Sequence, residues 1–255
     1  MPDAPGVAVT RAEEDSAALA SALASAGLVP VVTPLLRIAP LETSELAAQL
    51  TGGAFDWTVC TSRHAVDALG AACASLGMAP ADVVRGRIGA VGRRTADALC
   101  ALGLRVDLVP DVADAMHLAG AMLALDAVPR RVLFPRAREA REALPTALRD
   151  AGWTVVDVVA YDTVTDEAGG AALRAALEAG TVSAITLASG SAARALATLV
   201  PRALLSRVRL VSIGPTTTAD AAACGLPIAA QAETPSMASL ADVTRRILLD
   251  SLAHA

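Results

Sequence analysis

Segments of this 255-residue chain return in the same order at a nearly constant separation. Val132-Leu-Phe-Pro-Arg136 echoes Val7-Ala-Val-Thr-Arg11, and Leu148-Arg-Asp-Ala-Gly152 echoes Leu23-Ala-Ser-Ala-Gly27, both 125 positions on. Ile185-Thr-Leu-Ala-Ser189 follows Thr58-Val-Cys-Thr-Ser62 by 127 positions. Val211-Ser-Ile-Gly214-Pro-Thr-Thr217 follows Gly89-Ala-Val-Gly92-Arg-Arg-Thr95 by 122. Chance can supply one such match, but four in order mark a duplicated unit. Strands alternate with helices in each copy, which requires a parallel sheet covered on both faces. Two similar α/β lobes with a cleft between them are therefore expected, with ligands beyond the carboxyl ends of the strands.

The elements can be placed along the chain. Gly6 to Arg11 reads as a strand ending in a hydroxyl and a guanidinium. Acids at Glu13, Glu14 and Asp15 then open a helix that stops at Gly27. Val29 to Ile38 reads as one strand punctuated by Pro30 and Pro34, so it is a crossing rather than a central strand. A helix covers Ser44 to Leu50. The strand Trp57 to Cys60 opens through Thr61-Ser62-Arg63-His64 into a helix ending near Ala72. Ile88 to Gly92 turns into a helix that runs to Gly103, followed by a strand at Val106 to Val109 and a helix from Ala113 to Leu125. Val155 to Thr165 is rich in β-branched residues and reads as a buried strand. Asp166-Glu167-Ala168-Gly169-Gly170 after it reads as a solvated connection.

Composition removes several functions. A net charge of −5 is wrong for a general nucleic-acid binder, although it leaves room for local basic sites. The chain is 54% hydrophobic, yet Arg, Asp, Gly or Pro breaks each apolar run before the roughly 18 residues of a membrane span. Met1-Pro2-Asp3-Ala4-Pro5 has neither a basic nor an apolar leader, so a cytoplasmic protein is expected. Cys60, Cys73, Cys100 and Cys224 form no Cys-x-x-Cys pair, and His64, His117 and His254 are scattered, so neither a metal nor a disulfide is expected. No phosphate-loop or dinucleotide fingerprint is present, and an enzyme built this way works without a cofactor.

Both copies end strands in hydroxyls or glycine and then open a helix: Thr61-Ser62, Gly92-Arg93-Arg94-Thr95, Ser189-Gly190-Ser191 and Gly214-Pro215-Thr216-Thr217-Thr218. Each alone is an ordinary N-cap; four in register favour an anion-rich ligand, carboxylate or phosphate. Arg11 and Arg136 stand at equivalent strand ends as candidate carboxylate clamps, with Arg63 and Arg93 as further candidates. The run from Arg138 to Arg141 reads as a charged helix face. His64 lacks an evident acidic orienter in the sequence, and no Ser-His-Asp set emerges. Tyr161, the one tyrosine, stands where a strand runs out. It either packs by its ring with its hydroxyl in water or supplies a proton donor.

Taken together, these stretches resemble the uroporphyrinogen-III synthase family over nearly the whole chain. The resemblance is strongest in Ser212-Ile-Gly-Pro-Thr-Thr-Thr-Ala219, with Ala232-Glu-Thr-Pro235 and Leu240 downstream. It continues in Arg141-Glu-Ala-Leu-Pro-Thr-Ala-Leu148, Val159-Ala-Tyr-Asp-Thr163 and Val91-Gly-Arg-Arg-Thr-Ala96. Two departures stand out: Arg63-His64 after Thr61-Ser62, and Leu187-Ala-Ser-Gly-Ser191 in the second copy.

The resemblance implies two Rossmann-like or flavodoxin-like lobes joined by a two-stranded linker. Residues 1–37 and 167–255 would form one lobe and residues 38–166 the other, with Val29 to Ile38 and Val155 to Thr165 as the crossings. The implied reaction closes hydroxymethylbilane, a linear tetrapyrrole with eight carboxylates, to uroporphyrinogen III, losing water and inverting ring D. Tyr161 would hydrogen-bond the leaving hydroxyl. Ser62, Thr95, Ser189, Ser191, Thr216 and Thr217 would grip the carboxylates through side chains and backbone N–H groups. Backbone donors should dominate, because all 21 cationic side chains are Arg and no Lys is present. If positioning outweighs acid catalysis, no single residue is wholly essential. A monomer binding neither nucleic acid nor membrane is expected. The rival reading is a non-catalytic two-lobed sensor of a small anion or tetrapyrrole, since fold does not fix function.

Overall fold

The computed structural model describes residues 4–252 apart from Ala127 and Arg141. The readings of the first three residues, of Arg141 and of His254 lie outside the described residues. The chain divides into two compact units: residues up to Arg37 with those from Val164 onward, and Ile38–Thr163. The first unit opens with β1 (Gly6–Val9), α1 (Glu13–Ser25) and β2 (Val29–Val32). The chain then passes into β3 (Leu36–Pro40), α2 (Ser44–Gly52), β4 (Trp57–Cys60), α3 (Arg63–Ser75), α4 (Pro80–Val83) and β5 (Arg87–Ala90). The second unit continues with α5 (Arg93–Ala101), α6 (Ala115–Leu125), β6 (Arg131–Ala137), α7 (Ala143–Asp150) and β7 (Thr154–Thr165). The rest returns to the first unit: α8 (Glu167–Glu178), β8 (Ala184–Leu187), α9 (Gly190–Leu199) and α10 (Arg202–Leu205). It ends with β9 (Arg209–Ser212), α11 (Pro215–Ala223), β10 (Ile228–Gln231) and α12 (Met237–Leu252). None of the described helices is long and apolar enough to cross a membrane.

Each unit carries one five-stranded sheet, ordered β10-β9-β8-β1-β2 in the first and β3-β7-β6-β4-β5 in the second. The repeat explains the likeness. β6 repeats β1, β4 matches β8, and β5 matches β9, so both sheets hold these strands in the same order, β9-β8-β1 and β5-β4-β6, while β10 and β3 extend opposite edges. Pairing is parallel between β1 and β2, β1 and β8, β8 and β9, and β9 and β10. It is parallel as well between β4 and β5, β4 and β6, and β6 and β7. The glycines closing equivalent helices confirm the duplication in the backbone. Gly27 and Gly152 have φ of 78° and 83°, and Gly103 and Gly225 have 79° and 69°, the left-handed region that a helix C-cap needs.

Alternation sends side chains to both faces of each sheet. In β1, Val7 and Val9 join one buried cluster with α1 and α12, while Ala8 joins the other with α8 and α9. In β4, Trp57 and Val59 pack towards α6 and α7, and Cys60 packs towards α3. Burial pushes the Cys60 thiol up to about 12, so it behaves as a small apolar group.

The structure departs from the sequence reading in four places. Arg138 to Ala140 forms the turn after β6 and α7 begins only at Ala143, so these residues do not lie on the expected charged helix face. Val29 to Ile38 is two strands, because Pro34 falls between them and Leu35 is buried. Pro30 is tolerated because β2 is an edge strand with a partner on one side alone. Val106 to Val109 is reduced to one bridge, Leu108 to Gly89. The stretch expected to be a solvated connection is the first turn of α8, capped by Asp166, whose carboxylate accepts from the N–H of Ala168 and Gly169.

At the far side of the second unit, Asp126 is a buried carboxylate tied to Trp57 Nε1 at 2.9 Å, Arg87 at 3.1 Å and Arg130 at 3.0 Å. The indole hydrogen bond first, then Arg130 and Arg87, holds its carboxyl below the usual range. Asp126→Ala strands the buried indole N–H and is expected to cost about 2 kcal/mol. Asp126→Asn keeps an acceptor and should cost less. The depressed pKa means the carboxylate's contribution is present above pH about 4 and is lost as pH falls. The Ala variant's deficit in urea melts should therefore shrink between pH 7 and pH 3.

Candidate active site

Taking the strands of the second unit as β7-β6-β4-β5, the chain winds one way from β6 to β7 and the other way from β4 to β5. The crevice where such winding reverses, beyond the carboxyl ends of β6 and β4, is where open parallel sheets bind ligands. Three sequence features converge there. β4 runs out into Thr61-Ser62, and Ser62 adopts an extended conformation (φ −153°, ψ 161°) that turns its Oγ back to accept from the Ala65 N–H at 3.1 Å. β6 ends at Ala137. On its other side, β7 carries a bulge: Arg136 lies opposite Val159, but Ala137 lies opposite Tyr161. One extra residue re-aims the next side chain, and both Ala160 and Tyr161 are buried in succession as a result.

The re-aimed tyrosine reaches across the end of β6. Its Oη lies 2.8 Å from Ser62 Oγ, so the two hydroxyls meet from strands separated by a third. Tyr161 is 7% exposed, and burial raises its phenol above the ordinary value, with the Ser62 hydrogen bond acting the other way. The phenol therefore stays protonated at neutral pH. His64 packs against the tyrosine ring with centroids 5.7 Å apart and planes tilted by 57°. Its side chain is 15% exposed and its Nδ1 lies 3.8 Å from the Asp67 carboxylate. The orienting acid that sequence inspection missed is thus one helical turn away, as the i, i+3 geometry of α3 provides. Tyr161, His64 and Asp67 share the wall of a cavity of about 260 Å³ between α3 and the β3–β7 edge.

The remaining candidates are distributed by element. Arg63 opens α3 and lies 3.9 Å from Asp67. Arg93 is exposed at the start of α5 beside a second cavity of about 430 Å³ that also meets Asp97 and Asp111, while Thr95 is buried two residues on. Arg136 is turned into the protein, 2.6 Å from Glu142 and 3.4 Å from Asp157, and donates to the Ala137 and Ala140 carbonyls. Its guanidinium is already engaged.

In the first unit the equivalent positions repeat the cap. Ser189 is extended (φ −161°, ψ 159°) and accepts from the Ala192 N–H at 3.2 Å, as Ser62 does 127 positions earlier. Gly190 stands where a Cβ would meet the Asp220 carboxylate at 1.7 Å, which accounts for a glycine there. Ser191 Oγ accepts from Arg194. Arg11 lies 3.7 Å from Asp15, and its Nε is buried with no hydrogen-bond partner among the described residues. Thr216 is exposed and Thr217 buried at the start of α11. Thr218, the last hydroxyl of that helix start, meets Ser212 Oγ at 2.6 Å and Gln231 at 2.7 Å.

Comparison with known proteins bears on the family and the fold. The family model described as uroporphyrinogen-III synthase HemD matches residues 17–242. A putative uroporphyrinogen-III synthase of Methanothermobacter thermautotrophicus is 31% identical over 222 residues, covering 83% of this chain and 86% of that protein. The uroporphyrinogen-III synthase of Synechococcus elongatus is 32% identical over 162 residues, 62% of this chain and 60% of that protein. Among solved structures, uroporphyrinogen-III synthetase from Helicobacter pylori superposes with a TM-score of 0.60 at 16% identity, covering 96% of this chain and 99% of that one. A mutant uroporphyrinogen III synthase from Thermus thermophilus gives 0.58 at 21% identity, covering 97% and 100%. At these identities the structures speak to the fold.

Proposed function

The chain belongs to the uroporphyrinogen-III synthase family, and on that footing we propose that it is the lyase that closes hydroxymethylbilane to uroporphyrinogen III. The observation that carries the reading is the pair of hydroxyls at the end of β6, Ser62 Oγ and Tyr161 Oη, 2.8 Å apart. On this reading Ser62 donates its hydrogen to Tyr161 while accepting from the helix, which leaves the phenol O–H for the substrate. A hydrogen bond received by Tyr161 strengthens the one it donates.

On this reading the pyrrole nitrogen supplies the push. The C–O bond breaks, its electrons go to oxygen, and Tyr161 assists that oxygen to leave as water, giving an azafulvene. The substituted carbon of ring D attacks to give a spiro intermediate, which reopens and closes with the ring inverted. The ring carbon that closes last loses a hydrogen, and this proton replaces the one taken by the departing water. No cofactor is needed for that balance.

The substrate's carboxylates are assigned to the helix starts at Ser62, Thr95, Ser189, Ser191, Thr216 and Thr217. N–H groups and hydroxyls there accept anions without formal charge. Arg11, Arg63 and Arg93 assist, while Arg136 acts by holding β6 and β7 through Asp157. We assign it as a cytoplasmic monomer, and the net charge of −5 favours a small-molecule substrate over nucleic acid. The test is to supply fresh hydroxymethylbilane, oxidise the products and separate the uroporphyrin isomers. Type III in excess is expected; type I alone, the product of spontaneous closure, would refute the assignment.

A further inference from the structure

We propose that the cavity beside Tyr161 seats one pyrrole ring of the substrate, with Asp67 as acceptor for the ring N–H; this rests on the function proposed above. The cavity lies along one stripe of α3, where positions 64, 67, 68 and 71 recur at helical spacing, and its floor is Ala160 and Tyr161 of β7. Ala68 and Ala71 keep that stripe low, so a flat body fits between helix and strand. The volume of about 260 Å³ falls short of the roughly 300–1,000 Å³ of sites that enclose a whole drug-sized ligand, so it suits a part of a linear tetrapyrrole.

The chemistry of the wall selects which part. A pyrrole has apolar faces, one N–H donor and no ring acceptor. The cavity answers with apolar walls, a carboxylate and two aromatic rings. Asp67, with its side chain 61% exposed, stands at the mouth within 4 Å of both His64 Nδ1 and Arg63 Nε, where Arg63 can also meet a carboxylate chain of the same ring. When the hydroxyl departs, positive charge spreads onto the ring nitrogen, and a carboxylate beside that N–H stabilises it more than the neutral ground state. Tyr161 lines the same cavity, so oxygen departure and nitrogen charge are served within one cavity.

Tyr161 is the one tyrosine in the chain, so tyrosine-selective ring labelling gives a single NMR reporter at the site. The probe is porphobilinogen, a single pyrrole carrying two carboxylates. A saturable shift of the Tyr161 signal is expected in the wild type, weakened in Asp67→Asn. It is expected to be lost in Ala71→Leu, which places leucine in the cavity from an exposed helix position. Ala68→Leu should act in the same direction, and Ala74→Leu, outside the cavity on the same helix, should leave the shift intact. No shift in the wild type, or an undiminished shift in a folded Ala71→Leu, overturns the proposal. Type III product without a Tyr161 shift would remove the pyrrole seat and leave the synthase standing. A shift without type III product would do the reverse.

Discussion

Tyr161→Phe is expected to lower kcat about tenfold with little change in KM, less than the hundredfold or more that a positioned general acid commonly contributes. The substitution deletes one hydroxyl and keeps the ring that packs against His64 and the core beneath β7. What is lost is a hydrogen bond made chiefly as the oxygen departs, so the effect falls on kcat rather than on binding. The loss stays small because the pyrrole nitrogen drives departure and the protein's larger task is to hold a flexible chain in one closing geometry.

The pH profile separates this role from a structural one. Burial raises the phenol above its ordinary value near 10, so the donor is intact through neutral pH and is lost on the far alkaline side. The folded protein holds that proton more tightly than the unfolded chain does. The matching contribution to stability is full below pH about 10 and fades as pH climbs through the folded value. The wild-type rate should therefore carry an alkaline limb that Tyr161→Phe lacks. A variant with full activity would remove Tyr161 from the reaction, and one with none would mean that acid catalysis outweighs positioning. Ser62→Ala should give a smaller loss of rate, with a cost of about 1 kcal/mol from the lost α3 cap.

How much of this was legible in the sequence depends on the range of the interaction. The duplication is local information repeated, so most strands and helix stops read from it fall where the structure has them, although of the four helix starts only those at Ser62 and Ser189 are capped by a side-chain oxygen. The exchange between copies is different. The first unit takes β1 and β2 from the first copy and β8 to β10 from the second, although β6 repeats β1. Parallel strands pair across long separations, and nothing in β1 itself distinguishes β8 from its counterpart β4; the resemblance to a family suggested the exchange, not the pattern. The bulge at Tyr161 was hidden for a related reason. It is defined by register against β6, and the run of β-branched residues from Val155 to Thr165 is compatible with unbroken alternation. His64 illustrates a shorter-range miss: Asp67 is three residues away in the sequence, but only the helical turn brings it near the imidazole.

Gly169→Ala decides between the sequence reading of residues 166–170 and the folded one, because the two give opposite signs. In an open, solvated connection alanine restricts the unfolded chain more than glycine does, and the change should stabilise by about 0.4–1 kcal/mol. In the structure Gly169 is buried in the first turn of α8, and a Cβ there would lie 1.6 Å from the Pro34 carbonyl oxygen and 2.7 Å from its carbon. That obstacle is backbone and cannot rotate away. Relief requires α8 to move from the segment leading into β3, which strains the Asp166 N–H bond to Leu35 O at 2.9 Å and the two N-cap bonds behind it. Overpacking against fixed backbone is expected to cost about 3 kcal/mol, lowering Tm by roughly 9 °C for a chain of this size. Gly170 presents a milder case: its nearest obstacle is the Leu199 side chain at 3.0 Å, which can repack, so Gly170→Ala should cost about 1 kcal/mol. Gly120, in α6 with nothing within 4 Å of a Cβ, is the control and should gain about 0.5–1 kcal/mol as alanine. Thermal melts of the three variants should fall in the order Gly120→Ala, Gly170→Ala, Gly169→Ala; a stabilised Gly169→Ala would show that α8 does not close on Pro34 in solution.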